Sequence, residues 1–346
     1  MTIKVLVVDD SPLIRQVLCR TLGADGDIEV VGAAENAMAA REAIKRLNPH
    51  VLTLDIEMPD MNGLDFLDRV MRLRPMPVVM VSTLTTRGAS ETLLALELGA
   101  VDFVAKPDAT LSGGLERFCA ALRDKVRAAA LADVRARVVP TPPRSERAGP
   151  MPAGAVIALG ASTGGVEAIR CVLSGLGPHM PPVVIAQHMP EGFTARFAAR
   201  LNELAPMTVL EAQDRQPLES GHAYVARGDR HLRVERQSGR LVARLSQDAP
   251  ISGHRPSVDA LFASVAQTCG PRAIGVIMTG MGRDGAQGLK AMHAAGSHTI
   301  GQSPASCLVY GMPRAAFEAG ALSEQVPLEK IAGRLAEVLA RLPQAA

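Results

Sequence analysis

Short apolar runs alternate with amphipathic stretches along most of the chain, and one proline-dense segment, residues 138–152, interrupts the alternation. It reads Val-Val-Pro-Thr-Pro-Pro-Arg-Ser-Glu-Arg-Ala-Gly-Pro-Met-Pro and holds five of the chain's 24 prolines. Proline fixes φ and lacks an N–H, so this stretch cannot continue a helix and favours an extended connection. It is expected to be an interdomain linker, entered through an Ala-, Arg- and Leu-rich helix over residues 120–137. The 346 residues then divide into 1–125, a helix end and linker over 126–152, and 153–346. Both halves are long enough for an ordinary hydrophobic core.

In the first half, candidate strands fall at 4–8, 29–32, 51–55, 77–82 and 102–105. Amphipathic stretches near 12–22, 36–47, 63–73 and 89–98 lie between them. Five such βα units predict a parallel sheet covered by helices on both faces. In such a fold function belongs at the carboxyl ends of the strands.

That edge collects the acids. Asp9 and Asp10 end the first strand, Asp55 the third, Ser82 and Thr83 the fourth, and Lys106-Pro107 the fifth. Three converging carboxylates repel unless a hard divalent cation sits among them, which suits Mg²⁺ with oxygen ligands. The lysine adds positive charge and the hydroxyl a short-range hydrogen bond to an oxyanion. Any one acid can be a mere turn residue, but strand ends furnished together in this way point to a site.

The strings Val-Val-Asp-Asp-Ser at 7–11, Asp-Ile-Glu-Met-Pro-Asp-Met-Asn-Gly-Leu at 55–64 and Lys106-Pro107 closely resemble the receiver domain of two-component response regulators. The resemblance covers residues 3 to about 125 and implies a flavodoxin-like (βα)5 fold. It also implies that Asp55 accepts a phosphoryl group from a histidine kinase while Asp9 and Asp10, with Asp55, bind Mg²⁺. Lys106 would contact the phosphoryl group, Ser82 would respond to it, or Thr83 under a one-residue shift, and Phe103 would serve as an aromatic switch.

Composition narrows what the second half can be. A formal charge of +2 lacks the basic excess of a dedicated nucleic-acid binder. Aromatics make up only 3% with no Trp, too few for platforms that stack bases or glycans. The longest stretches without charge, 148–166 and 171–190, are broken by Pro and Gly, so neither reads as a membrane span. The N-terminal apolar run is too short for a signal peptide. The five cysteines, Cys19, Cys119, Cys171, Cys269 and Cys307, form no Cys-x-x-Cys pair and are expected as buried free thiols in a reducing cytoplasm.

Residues 153–346 are again α/β in pattern. Runs at 156–159, 183–187, 208–211 and 273–278 suit buried strands, while 223–226, 231–235 and 241–245 are shorter and alternate, predicting a small antiparallel patch. Gly-Ala-Ser-Thr-Gly-Gly at 160–165 follows the first run and satisfies Gly-x-Ser-x-Gly. Small neighbours let Ser162 sit exposed on a sharp strand-to-helix turn, beside backbone N–H groups available to an oxyanion. A phosphate-cradling loop is the alternative, but Gly-Lys-Ser/Thr and Gly-x-Gly-x-x-Gly are both absent. His188 ends the second run in Gln-His-Met-Pro, and Asp284 follows the 273–278 run in Thr-Gly-Met-Gly-Arg-Asp-Gly. Taken alone, Asp284 is equally suited to cap the next helix. Serine, histidine and aspartate at three parallel strand ends can meet as nucleophile, base and orienting acid. Their order differs from the Ser–acid–His order of α/β-hydrolases, so the serine motif does not establish that fold.

These strings, with Gly-Asp-Arg-His-Leu at 228–232, His-Arg-Pro-Ser-Val-Asp at 254–259 and Tyr-Gly-Met-Pro at 310–313, resemble the CheB type of chemotaxis protein-glutamate methylesterase. That family joins a receiver through a linker to a doubly wound, mostly parallel α/β catalytic domain. The resemblance implies Ser162 as nucleophile, His188 as general acid/base and Asp284 as its orienting carboxylate, with backbone N–H groups near Thr163 and Met281 as oxyanion hole. It implies hydrolysis of glutamyl methyl esters on methyl-accepting chemotaxis receptors, deamidation of selected receptor glutamines, and phosphorylation by a chemotaxis-type histidine kinase. The enzyme would be cytoplasmic, meeting the membrane only through its receptors, with Mg²⁺ at the receiver, no cofactor for the esterase and no nucleic-acid partner. Phosphorylation would open a catalytic mouth that the receiver otherwise covers. Gln302-Ser303-Pro304 stands where the family usually shows Gln-Asp-Glu, and Arg227 where it shows Pro. A transcription factor, the rival fate of a receiver, needs a small basic helical output rather than a glycine-looped α/β one. An inactive docking module is disfavoured by the intact Ser162, His188 and Asp284.

Overall fold

The computed structural model describes residues 2–83, 85–106, 114–134 and 154–342, which fall into two compact units, Met1–Arg137 and Val138–Ala346. The expected linker 138–152 and Pro107 lie outside the described residues.

The first unit runs β1 (Ile3–Val8), α1 (Pro12–Leu22), β2 (Ile28–Ala34), α2 (Ala37–Leu47), β3 (Val51–Asp55), α3 (Gly63–Leu73), β4 (Val78–Ser82), α4 (Thr86–Leu98), β5 (Asp102–Ala105) and α5 (Gly114–Ala130). Its five strands are all parallel in the order β2-β1-β3-β4-β5, so the carboxyl ends of β1 and β3 are neighbours at the centre. Local chemistry sets the helix starts. Ser11 caps α1 ahead of Pro12, and Asn36 and Asn62 accept the Ala39 and Asp65 N–H groups to open α2 and α3. The helix expected over 120–137 begins earlier, at Gly114, and ends at Ala130. Its buried face, Phe118, Leu122 and Val126, repeats every four residues from that earlier start.

The second unit runs β6 (Val156–Ala161), α6 (Gly165–Gly175), β7 (Val183–Gln187), α7 (Thr194–Leu204), β8 (Thr208–Glu211), β9 (His222–Val225), β10 (His231–Gln237), β11 (Arg240–Ser246), α8 (Val258–Cys269), β12 (Ala273–Ile277), α9 (Ala286–Ala294), β13 (His298–Gln302), α10 (Met312–Glu318), β14 (Glu324–Val326) and α11 (Leu328–Leu339). A seven-stranded parallel sheet has the order β14-β13-β12-β6-β7-β9-β8, and β10-β11 is a separate antiparallel pair. The antiparallel patch is therefore smaller than expected. Residues 223–225 of that run belong to β9, which pairs in parallel with both β7 and β8. Flanked on both sides, β9 buries Ala223, Tyr224 and Val225, so its shortness reflects the turns around it rather than an edge.

The chain enters at β6, winds outward through β7, β8 and β9, then returns to lay β12, β13 and β14 on the other side. The reversal makes β6 and β12 neighbours and opens a crevice beyond their carboxyl ends, where doubly wound sheets bind ligands. Beneath it α8 packs Leu261, Phe262 and Val265, all fully buried, each worth about 1.5–3 kcal/mol. No helix among the described residues is long and apolar enough to cross a membrane. All five cysteines are free; Cys171 and Cys269 are buried, while Cys19, Cys119 and Cys307 are only half-buried.

Candidate functional site

In the first unit Asp9, Asp10 and Asp55 each offer a carboxylate oxygen within 4.8 Å of the others. Asp9 and Asp55 are buried and Asp10 is exposed, so the cluster opens to solvent on one side. The Lys106 ammonium lies 2.7 Å from Asp55 Oδ2 and 3.1 Å from Asp9 Oδ2. Burial pushes the Asp55 carboxyl up and neighbouring Asp9 adds to this, outweighing Lys106. Asp9 Oδ2 is buried with the Lys106 ammonium beside it but no hydrogen bond of good geometry, the kind of oxygen that a hard cation coordinates. The donor set and this under-satisfied oxygen thus fit Mg²⁺.

Ser82 ends β4 fully buried, accepting the Thr92 hydroxyl at 2.7 Å, with the Thr83 and Gly88 carbonyls 3.3 Å away. Thr83 is half-buried and its hydroxyl meets that of Thr85 at 3.3 Å. Phe103 is buried in β5 beneath the Lys125 ammonium, 5.1 Å from the ring centroid.

In the second unit Ser162 follows β6, His188 follows β7, and Asp284 lies in the loop between β12 and α9. The structure brings these three together. His188 Nδ1 is 3.2 Å from Ser162 Oγ, and Nε2 is 2.7 Å from Asp284 Oδ2. A carboxylate only accepts, so Nε2 carries the proton and Nδ1 turns its lone pair to the serine hydroxyl. His188 and Asp284 side chains are nearly buried, at 8% and 1% exposure.

Asp284 does not cap α9. Its carboxylate instead accepts the Val258 N–H at 2.7 Å, the Ser257 hydroxyl at 2.8 Å and the Asp259 N–H at 3.1 Å, at the start of α8. Gly285 precedes α9 without a side-chain cap, which explains why the local sequence misdirects this assignment. Burial raises the Asp284 pKa, but His188, the Val258 N–H and the Ser257 hydroxyl outweigh it and hold the carboxyl below its ordinary value. A helix N-terminus favours negative charge for the same reason.

The loop bearing Ser162 is fixed just as closely. The Ser162 N–H donates to the Thr279 carbonyl at 3.0 Å, and the Thr279 hydroxyl to the Thr163 carbonyl at 3.0 Å. Gln187 Nε2 donates to the carbonyls of Ser162 and His188, tying the β6 and β7 loops. Gly164 sits at φ 78°, and Gly280 passes so close that a β-carbon there would lie 2.8 Å from Ser162 Cβ. Thr163 and Met281, each one residue beyond this contact, lie on the two converging loops; among the described residues nothing accepts the Met281 N–H.

Sequence reasoning gave no role to Ser257, Asp259, Thr279, Gln302 or His254. Ser257 carried a usable signal, since Ser before an apolar run marks an N-cap, and it does cap α8. Gln302 carried none. It is buried, accepting the Thr279 N–H at 2.8 Å and donating to the Ser306 carbonyl at 2.6 Å. Arg227 is exposed and pairs with Glu191 at 2.9 Å.

Two family models match the chain: CheB methylesterase over residues 157–335 and response regulator receiver domain over residues 5–111. A protein-glutamate methylesterase/protein-glutamine glutaminase of Caulobacter vibrioides is 56% identical over 95% of this chain and 96% of its own length. One from Pseudomonas aeruginosa is 48% identical over 99% of this chain and 98% of its own. The crystal structure of the Thermotoga maritima CheB methylesterase catalytic domain superposes with TM-score 0.53 at 35% identity, covering 54% of this chain and 99% of that one. With a catalytic-domain match over half its length and full-length relatives at this identity, the chain belongs to the CheB methylesterase family and carries a response-regulator receiver domain.

Proposed function

We propose that the chain is a phosphorylation-activated serine hydrolase that demethylates glutamyl methyl esters on chemotaxis receptors and deamidates selected receptor glutamines. The hydrogen-bonded series Ser162–His188–Asp284 at the carboxyl edge of the parallel sheet carries this reading. Ser162 Oγ attacks the ester carbonyl carbon as its proton passes to His188 Nδ1. The carbonyl oxygen becomes an oxyanion facing the N–H groups of Thr163 and Met281. The carbon–methoxy bond then breaks, and the leaving oxygen takes the proton from Nδ1 to depart as methanol. Water, deprotonated by His188, attacks the acyl-enzyme, and Ser162 leaves with the proton to give the glutamate carboxylate. With a glutamine the same steps release ammonia. Asp284 remains ionised throughout and stabilises the imidazolium.

Residues 1–125 form the receiver and 153–346 the esterase in this reading. Asp55 accepts the phosphoryl group of a chemotaxis-type histidine kinase, Lys106 faces it, and the Ser82 hydroxyl and Phe103 respond. Asp9, Asp10 and Asp55 would hold Mg²⁺, which offsets the charge of the carboxylate and the incoming phosphoryl group. The substrate sits on cytoplasmic receptor helices, so the chain works in the cytoplasm and reaches the membrane only through its receptor.

Methanol release from methylated receptor tests the reading. Ser162→Ala should lower turnover by about four to six powers of ten; undiminished release rejects the assignment.

A further inference from the structure

One loop, residues 251–259, reaches two members of the hydrogen-bonded series at once. Its downstream end holds Asp284 through Ser257, Val258 and Asp259. Its upstream end lays the His254 imidazole on the face of His188, ring centroids 3.7 Å apart and planes 12° from parallel. The loop is braced on both sides of His254. Ile251 and His254 exchange backbone hydrogen bonds of 2.9 and 3.2 Å around Ser252 (φ 53°) and Gly253 (φ 80°), a tight turn of the type I′ kind. Arg255 then donates to Asp229 Oδ1 at 2.6 and 3.0 Å and to the carbonyls of Gln247 and Asp248 at 3.0 Å.

The two hydrogen bonds of His188 leave from Nδ1 and Nε2, in the plane of the ring. With the Cβ anchor they set the mean plane of the ring, but coupled changes in χ1 and χ2 still let that plane tilt. Such tilting tips the Nδ1 lone pair away from the Ser162 hydroxyl, and hydrogen bonds weaken steeply with misalignment. A flat ring packed on one face of the imidazole resists that tilting.

We propose that His254 is a positioning residue for proton transfer, fixing the plane of His188 so that Nδ1 stays aimed at Ser162. The proposal rests on the esterase reading above and deepens it, since it assigns part of turnover to a residue outside the Ser162–His188–Asp284 series.

The full chain, Ser162→Ala, His254→Leu and His254→Phe are compared, with thermal unfolding as the folding check. The readouts are kcat and KM for methanol release, and the rate at which an aryl sulfonyl fluoride inactivates Ser162, which bypasses receptor recognition. His254→Leu should lower kcat and the inactivation rate together by about ten- to a hundredfold, with KM within about twofold. His254→Phe restores a flat ring without nitrogens and should recover to within about threefold. Full kcat in His254→Leu, or a raised KM alone, overturns the proposal. Equal losses in the Leu and Phe variants also overturn it, because they assign the effect to the imidazole nitrogens. If the Leu variant does not fold, His254→Gln replaces it in the same comparison. Activity retained by Ser162→Ala sinks the esterase reading itself, so the two failures are distinguishable.

Discussion

Asp284 and Asp259 exchange helix caps: the Asp259 N–H at the start of α8 donates to Asp284 Oδ1 at 3.1 Å, and Asp259 Oδ1 accepts the Gly288 N–H of α9 at 2.7 Å. The carboxylate that bonds His188 is thereby built into the junction of two helices. Removing the Asp259 side chain frees the start of α9, and with it the loop that carries Asp284 and Met281. Asp259→Ala should cost about 0.5–2 kcal/mol in urea unfolding. It should also lower kcat by about tenfold or more, because sub-ångström displacement of an orienting group is felt directly in turnover. A full stability loss with unchanged kcat would separate the cap from the catalytic geometry.

Acid sensitivity should trace in part to Asp284. Its folded pKa lies below the ordinary carboxylate value, so the unfolded chain takes up a proton at this side chain first. The stability it contributes is complete above about pH 4, the ordinary aspartate range, and is lost as pH falls toward the folded value. Asp284→Asn has no such titration. The difference in Tm between the two proteins should therefore shrink as pH is lowered from about 5 to about 2. A constant difference would mean that the folded pKa is not depressed.

Gly280 tests how tightly the Ser162 loop is held. A β-carbon there would lie 2.4 Å from Met312 Sδ, 2.8 Å from Ser162 Cβ and 3.0 Å from the Ser162 nitrogen. Met312 is a flexible side chain and can yield, but the Ser162 backbone cannot without moving Oγ. Gly280→Ala should cut sulfonyl fluoride inactivation of Ser162 by about a hundredfold while the chain still unfolds cooperatively.

The contrast between these residues shows what the sequence could carry. Strands of consecutive apolar residues, such as Val-Val-Ile-Ala-Gln in β7, are local signals, and they led directly to the strand ends bearing Asp9, Asp55, Ser162 and His188. Asp284 was legible as a candidate but not in its contacts, because its partners Ser257, Val258 and Asp259 lie about 26 residues upstream and meet it only through packing of α8 against α9. Tyr224 shows the same limit in the fold. Four residues of strand cannot reveal that parallel partners flank them on both sides.

The acidic cluster should respond to Mg²⁺ through Asp9. Without a cation, Asp9 and Asp55 crowd one ammonium, which makes no hydrogen bond of good geometry to Asp9 Oδ2. Mg²⁺ at about a hundredfold its dissociation constant should stabilise the intact first unit by about 2.7 kcal/mol. In Asp9→Asn that gain should largely vanish, while stability in chelator should equal or exceed that of the unaltered chain because one repulsive charge is gone. Unfolding curves with and without Mg²⁺ distinguish the two. An equal Mg²⁺ gain in the variant would remove Asp9 from the site.

Thr92 offers a graded test of the receiver switch. Its buried hydroxyl lies 2.7 Å from Ser82 Oγ and 2.7 Å from the Gly88 carbonyl, so α4 holds Ser82 by a contact inside the protein. A serine that turns to a phosphoryl group on Asp55 must first give up that contact. Thr92→Val keeps the shape and deletes the hydroxyl, releasing Ser82 at a stability cost of about 1 kcal/mol. The same free energy no longer opposes activation, so half-maximal methanol release should need about fivefold less acetyl phosphate. Thr92→Ser retains the hydroxyl and should behave as the unaltered chain. An unchanged acetyl phosphate requirement in Thr92→Val would mean that Ser82 does not move away from α4 when the receiver is phosphorylated.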